Sequence, residues 1–415
     1  MYIKREIEEK IIKYLNKPEI IALIGPRQAG KTTLLKNIYK NLKNAVYISF
    51  EDQEVLNLFN QNIKEFYLLY LKNKKYVFID EFQYAKEGGK NLKYIFDTYK
   101  IKIIISGSSA LDLTHQAVKY LVGRIFVFSL YTFSFSEFLL AKDKDLYSNI
   151  FFPVRNLLRK IIYSKNKNLP KIAPEILNTL LKYYKEYSIF GGYPRVVTTN
   201  NHEEKKDILK NIVNIYLLRE IREILKLETD LELNQLIKLL ALQISGTISY
   251  NELSNSINLD YKKLLKHLQI LEKTYIIQTV LPFYKNKRIE ITKTPKVYFY
   301  DIGFRNAIIN NFQNYNERID KGDINENIAA SSFLNQELKF HYWRTKSNAE
   351  IDFIVEKNGT INAFEVKTSA DKNKKNRSFY SFREKYLPQK TVILSTNFYL
   401  DRIYNNILYL PIYFI

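Results

Sequence analysis

The chain opens with short apolar runs, bounded by charged or turn-forming residues, alternating with segments whose Leu, Ile and Tyr recur every three or four positions. "IIALIG", "NAVYISFED", "KKYVFIDEFQYA" and "IKIIISGSSA" read as four strands, with an amphipathic helix after the first. That order predicts a parallel sheet between helices. From about 141 to 230 the pattern is helical, interrupted at Gly191 to Pro194 by "FGGYP". Two short helical patterns and a hairpin follow, and then a helix, a second hairpin and a helix–strand pair. We expect segments at 1–140, 141–230, 231–320 and 321–415.

Length and composition agree with several domains: 415 residues exceed one ordinary core, and 46% are hydrophobic. Sixty-four Lys plus Arg against 43 Asp plus Glu give +21, which favours a polyanionic partner, DNA first and an anionic membrane second. Codon bias of an AT-rich genome accounts for such a surplus equally simply. No cysteine is present, which excludes disulfides, thiolate zinc sites and cysteine nucleophiles. "YLVGRIFVFSLYTFSFSEFLLA" is the nearest approach to a membrane span, but Arg124 and Glu137 interrupt it and it alternates like a strand. The N-terminus lacks the apolar core of a signal peptide. These features predict a cytoplasmic protein with no membrane partner.

Gly25 to Thr32 fits G-x-x-x-x-G-K-[ST] between a strand and a helix. The loop Gly25, Pro26, Arg27, Gln28, Ala29 and Gly30, with Lys31, Thr32 and Thr33, would cradle the phosphates of ATP at a helix N-terminus. Lys31 reaches the β- and γ-phosphates and the Thr32 hydroxyl holds Mg²⁺. Asp80, ending the third apolar strand, binds the same Mg²⁺ through water, and Glu81 polarises the attacking water. "SGSS" places Ser106, Ser108 and Ser109 where a γ-phosphate sensor sits. Arg124 is read either as a γ-phosphate arginine, on its own subunit or a neighbour's in a homo-oligomer, or as a structural salt bridge.

Residues 244–291 have the layout of a winged helix. Asp260 N-caps its second helix, in which Tyr261, Leu264, Leu265, Leu268 and Leu271 form the inward stripe. Lys262, Lys263, Lys266 and His267 remain outward, and Lys285, Lys287 and Arg288 mark the hairpin tip. One reading puts the helix in a DNA major groove and the tip on phosphates; the other uses the element for intramolecular packing.

In "NAEIDFIVEKNGTINAFEVKTS", Asn358-Gly359 predicts a two-residue turn. That register pairs Lys357 with Thr360 and Asp352 with Glu365, their Cβ atoms roughly 4.5–5.5 Å apart. Lys367 shares the face of Glu365, and Glu326 comes from the preceding helix. Glu326, Asp352, Glu365 and Lys367 have the order and spacing of a PD-(D/E)XK nuclease core. Mg²⁺, or Mn²⁺ in its place, would sit between Asp352 and Glu365, while Lys367 orients or deprotonates water. Trp343 and Arg344 would stack on or clamp nucleic acid. An amphipathic hairpin with solvent-facing charges is the bland alternative.

With "GPRQAGKTTLL", "FIDEFQ", "SGSS", Gly123-Arg124, "FGGYP", "YFYDIGFRNAI", "YWRTKSNAEIDF" and "FEVK", the chain resembles a family of archaeal and bacterial AAA-type ATP-binding proteins. These carry a C-terminal domain of unknown function with a restriction-endonuclease-like fold. The resemblance implies ATP binding and hydrolysis. An acid often follows "GGYP" in that family, where this chain has Arg195. The expected fold is α/β multidomain: a parallel-sheet P-loop NTPase core, a helical lid, a winged helix and a C-terminal α/β restriction-endonuclease-like domain. The expected function is an ATPase coupled to a metal-dependent DNA endonuclease, with branched or junction DNA suggested by analogy alone. The alternatives are an ATP-dependent DNA-binding or remodelling protein with a silent nuclease fold, and a nucleotide-switched signalling ATPase with a protein partner.

Overall fold

A computed structural model of the chain describes residues 2–85, 88–107, 119–163, 169–215, 221, 231–284, 286, 288, 290, 292–345, 347, 349–357, 359–369, 377–397, 403–404 and 407–415. Ser108, Ser109, Lys285, Lys287 and Asn358, named above, lie outside these residues. The chain divides into two compact units, Met1–Thr132 with Lys273–Tyr275, and Phe133–Glu272 with Ile276–Ile415.

The first unit is built on five parallel strands: β1 (Ile20–Ile24), β2 (Ala45–Ser49), β3 (Tyr76–Asp80), β4 (Lys102–Gly107) and β5 (Ile125–Ser129). Their spatial order is β2-β3-β4-β1-β5. β1, β3 and β4 are buried along their whole length, as continuous apolar runs in a parallel sheet require. Helix α1 (Lys31–Lys40) follows β1 and buries Leu34, Leu35 and Ile38 against the sheet residues Ile21, Leu23 and Phe78.

The second unit begins with helices, as the three- and four-residue spacing predicts; the longest described one is α2 (Pro174–Phe190). A helix at Leu231–Leu242 precedes α3 (Tyr250–Ser256), α4 (Tyr261–Lys273) and an antiparallel hairpin of β6 (Ile277–Val280) and β7 (Lys296–Phe299). The side chain of Asp260 accepts from the amides of Lys262 and Lys263, at 2.9 and 3.2 Å, as its N-cap reading requires. The inward stripe differs from expectation at three positions. His267 is buried, while Tyr261 and Leu265 are 43% and 37% exposed. The helix buries Leu264, His267, Leu268, Ile270 and Leu271, a phase one position away from an all-leucine face.

After β7 come α5 (Ile302–Ile308) and α6 (Lys321–Asn335). "FGGYP" and "YFYDIGFRNAI" turn out to be two halves of one joint. Asp301 caps α5 by accepting from the Phe304 amide at 2.9 Å, and its other oxygen accepts from the Gly192 amide at 2.9 Å. Asn306 donates to the carbonyls of Ser188 and Ile189 at the end of α2, at 3.0 and 2.9 Å.

The C-terminal sheet has six strands in the order β12-β13-β11-β10-β9-β8. They are β8 (Phe340–Arg344), β9 (Glu350–Lys357), β10 (Thr360–Lys367), β11 (Lys390–Ser395), β12 (Ile403–Tyr404) and β13 (Ile407–Pro411). β8, β9 and β10 form an antiparallel meander, and β10 runs parallel to β11 through helix α7 (Arg377–Tyr386). Phe333 of α6 packs on Phe353 and Phe364 on one face, while Phe379 and Phe382 of α7 cluster with Ile354 and Ala363 on the other.

α5 and α6 are tied by Asp320, which precedes α6. Arg305 reaches its carboxylate at 2.6 Å, and Arg318 meets both its oxygens at 2.8 Å. Both arginines are almost wholly buried. Burial pushes the Asp320 carboxyl up, but the two guanidiniums outweigh it and hold the group at about 2, below its ordinary 3.8. Because the folded value lies below the unfolded one, its stabilisation is present above pH 3.8 and is lost as the pH falls through about 2. Asp320→Asn should remove that acid-limb dependence and, by stranding two buried cations, cost about 3–5 kcal/mol in urea unfolding at neutral pH.

Candidate functional site

β1 delivers the chain to a loop whose first residue, Gly25, has no room for a side chain. A Cβ on Gly25 would lie 1.9 Å from the Leu130 carbonyl oxygen, and Gln28 and Gly30 take left-handed conformations at φ 58° and 94°. The loop ends at the N-terminus of α1, where the first amides have no helical partner and the dipole favours an anion. Lys31 is buried, its ammonium donating to the carbonyls of Gly25 and Pro26 at 2.8 Å each. Pro26 and Ala29 are buried, Arg27, Gln28 and Thr33 are exposed, and Thr32 is half-buried.

Asp80 stands at the C-terminal end of β3, 4% exposed. The Tyr47 hydroxyl donates to one of its oxygens at 2.6 Å; the Ser106 hydroxyl, from the end of β4, donates to the other. Burial, reinforced by Asp80, pushes the Tyr47 hydroxyl far up, so it remains a donor. Sequence reasoning did not find Tyr47; its position two residues before the end of β2 was the available signal. Glu81 follows in a left-handed conformation, φ 54°, and accepts from the Gln83 amide group. For a glutamate this is an uncommon backbone state, of the kind found at sites where geometry is imposed. Lys31, Thr32, Asp80, Glu81 and Ser106 all lie at the C-terminal edge of one sheet, where α/β folds bind ligands. The Thr32 hydroxyl and the Asp80 carboxylate are hard oxygen donors of the kind Mg²⁺ takes.

Arg124 does not join them. It immediately precedes β5, whose Ile125 pairs with Ile20 at the start of β1, so it lies at the opposite edge, roughly 15 Å down the strands from the loop. Its Nε is 3.0 Å from Asp97. The salt-bridge alternative describes it within its own chain.

The hairpin register agrees with the sequence from Lys357 with Thr360 to Phe353 with Phe364, and the ladder stops one pair short of the expected Asp352 with Glu365. Gly359 is left-handed, φ 74°. Where the ladder stops, the Asp352 carboxylate accepts from the Val366 amide at 2.7 Å. Burial raises the Asp352 carboxyl well above its ordinary value, with Glu326 and Glu365 adding to the effect, which places these three acids in one electrostatic cluster. Lys367 is ion-paired with Glu365. Burial pulls the Lys367 ammonium down, but Glu365, Asp352 and Glu326 outweigh it and raise the group. The ion pair holds the Lys367 ammonium beside the carboxylates, as the sequence placed it.

A fifth residue, missed in the sequence, enters this cluster. Lys296 of β7 is 3% exposed, and its ammonium lies 2.9 Å from Glu326 and 2.5 Å from Glu350. The Tyr298 hydroxyl donates to the same Glu326 oxygen at 2.7 Å. Every carboxylate in the cluster thus already meets an internal cation or donor. Among the described residues, no three acidic or histidine side chains converge so as to hold a metal ion. In this structure the Asp352 and Glu365 carboxylates are each engaged by a group of the chain itself.

Among the proposed DNA contacts, Lys262, Lys263 and Lys266 are exposed on one face of α4, and Arg288 is exposed on the 281–295 connection. His267 is not among them: burial lowers its imidazole and keeps it neutral. Arg344 is exposed, its Nε 3.5 Å from Glu350. Trp343 cannot stack on a base, since it is buried edge-on to Phe382 with ring centroids 5.2 Å apart. The hairpin itself docks inward: the Phe283 amide donates to the Tyr342 carbonyl at 2.5 Å, and the Tyr342 hydroxyl to Thr294 at 2.5 Å.

Residues 17–139 match the AAA domain family, and with the parallel sheet and its glycine-bearing loop this region is an AAA-type P-loop NTPase core. Residues 181–315 and 321–415 match two domains of unknown function, DUF8612 and DUF4143. An uncharacterized protein of Methanocaldococcus jannaschii is 27% identical over 368 residues, covering 85% of this chain and 75% of the relative. One from Haemophilus influenzae is 26% identical over 373 residues, covering 84% and 82%. A second M. jannaschii relative is 26% identical over 319 residues, and the match spans 65% of its length. A Walker-type ATPase of Pyrococcus abyssi superposes with TM-score 0.46 at 15% identity, over 74% of this chain and 96% of that one. No helix among the described residues is long and apolar enough to cross a membrane.

Two substitutions separate the ends of the sheet. Lys31→Ala should lower ATP turnover by about 100-fold or more, because an ammonium aimed at transferring phosphate has no substitute. Arg124→Ala should leave ATP affinity within about twofold in equilibrium dialysis, since it removes only a half-exposed ion pair.

Proposed function

We propose that the chain hydrolyses ATP at the loop 25–33 and binds DNA through the exposed lysine face of α4, the winged-helix recognition helix. The observation that carries the first half is the convergence of Lys31, Thr32, Asp80 and Ser106 on one sheet edge. There the loop amides and the Lys31 ammonium neutralise charge on the transferring phosphoryl group, and Glu81 orients the attacking water. Thr32 and Asp80 would hold the Mg²⁺ that accompanies ATP, which supplies further charge neutralisation. The second half rests on Lys262, Lys263 and Lys266 lying exposed on one helix in a chain of net charge +21.

The strand order of the C-terminal sheet, with α6 before the meander and α7 between β10 and β11, supports a restriction-endonuclease-like fold. The internal pairing of Glu326, Asp352 and Glu365 favours its use as a binding and packing module over metal-dependent cleavage. Cleavage remains the second reading, favoured by the clustering of all four signature residues.

Replacing Lys262, Lys263 and Lys266 together by Ala should weaken duplex binding at low salt and reduce the slope of log affinity against log salt by about 2–3. An unchanged slope would remove the DNA-binding role and leave the nucleotide-switched protein-partner reading in its place. Labelled duplex, single-stranded and four-way DNA incubated with Mg²⁺ or Mn²⁺ should stay intact. Cleavage that disappears in Glu365→Ala would establish the endonuclease instead.

A further inference from the structure

We propose that Lys296 is the permanent cation of the Glu326–Glu350–Asp352 cluster, and that this cluster latches the β6–β7 hairpin to the C-terminal sheet instead of binding a divalent metal. The inference goes beyond the ATP- and DNA-binding reading and does not depend on it.

The geometry is that of a filled socket. Lys296 begins β7, where its backbone pairs with Val280 of β6 and forms a bridge to Thr247, so the root of the side chain is fixed by two neighbouring segments. Its ammonium is shared between Glu326 of α6 and Glu350 of β9, at 2.9 and 2.5 Å. Tyr298 lies two residues further along β7, on the same face, and its hydroxyl reaches the same Glu326 oxygen at 2.7 Å. One strand face therefore supplies both a cation and a neutral donor to one carboxylate. The Tyr298 ring continues the contact, lying 5.8 Å from Phe353 of β9 and 6.2 Å from Phe340 of β8.

The remaining acids are met from within the sheet: Asp352 by the Val366 amide, Glu365 by Lys367, and Glu350 additionally by Arg344 at 3.5 Å. A divalent ion entering between Asp352 and Glu326 would face a buried ammonium tethered to the fold, which cannot diffuse away as a counterion does. Like charges at such short range oppose each other strongly where water is excluded. The rest of the hairpin is fastened in the same direction, since Pro282 forms a parallel bridge to Tyr342 of β8. The latch therefore sits at one end of a continuous docking seam, with the carboxylates of α6 and β9 on one side and the strand of Lys296 and Tyr298 on the other.

The test uses the full chain without nucleotide and reads free Mn²⁺ by electron paramagnetic resonance. Wild type should show no Mn²⁺ binding that depends on Asp352 at millimolar metal. Lys296→Met should create a site at least about tenfold tighter, and adding Asp352→Asn should abolish the gain. Wild-type binding that is lost in Asp352→Asn overturns the proposal, as does a Lys296→Met protein that binds no better than wild type. If Lys296→Met fails to fold, Lys296→Gln, which removes the charge but keeps a hydrogen-bond donor for Glu326 and leaves every acid in place, serves instead. The latch has its own readout: amide exchange in β6 and β7 should accelerate at least about tenfold in the Lys296 variant, and unchanged protection would refute it.

Discussion

A buried ionised side chain must find its counter-charge on some other element, and that requirement decides how the second unit is assembled. Asp320 draws Arg305 of α5 and the Arg318 loop to the start of α6. Asp301 reaches back to the Gly192 amide, so the end of α2 and the start of α5 share a cap. Lys296 joins β7, α6 and β9. Apolar packing between these elements is extensive but non-directional, and many slightly shifted arrangements would bury similar area. The charged joints tolerate no such shift, because displacement by one residue would strand an ammonium or guanidinium away from water.

The nucleotide core was legible because its determinants are local. A strand, a glycine-bearing loop and a helix follow one another within about twenty residues, and each signal carries a backbone requirement that composition cannot satisfy by accident. The hairpin register was legible from Lys357–Thr360 to Phe353–Phe364, since an Asn-Gly pair in the sequence predicts a tight turn and a two-residue periodicity carries the pairing along the strands. Arg124 stayed open between two roles because sequence adjacency to an apolar strand says nothing about which end of that strand faces the loop. Only the pairing of Ile125 with Ile20 settles that. The α4 stripe failed at Tyr261, Leu265 and His267 for a different reason: hydrophobicity was weighted over helical phase, and the phase prevailed.

Residues far apart in sequence escaped altogether. Lys296 precedes Glu326 by thirty positions, and nothing near it marks it as exceptional in a chain with 64 basic residues. The functional weight of "FGGYP" and "YFYDIGFRNAI" was visible as motif, yet their meaning is a joint that only tertiary structure displays. Motif strength and motif purpose are separate quantities: the first is legible in one dimension, the second is set by what the fold brings alongside.

That separation bears hardest on the C-terminal tetrad. A nuclease needs its carboxylates free to share a metal and its lysine free to act on water. Here Lys367 is held charged against Glu365, and Glu326 is bound by an ammonium and a phenol. On the latch proposal the same residue types at the same spacing serve a different end, in which Glu326 and Glu350 offset the buried Lys296 rather than bind a cation from solution. Removing Glu326 would leave that ammonium short of its counter-charge. A latch of this kind has reason to retain the whole signature without any cleavage chemistry, so the signature alone cannot separate cutting from holding. What separates them is the fifth residue, and whether the cation between the acids is carried by the chain or drawn from water.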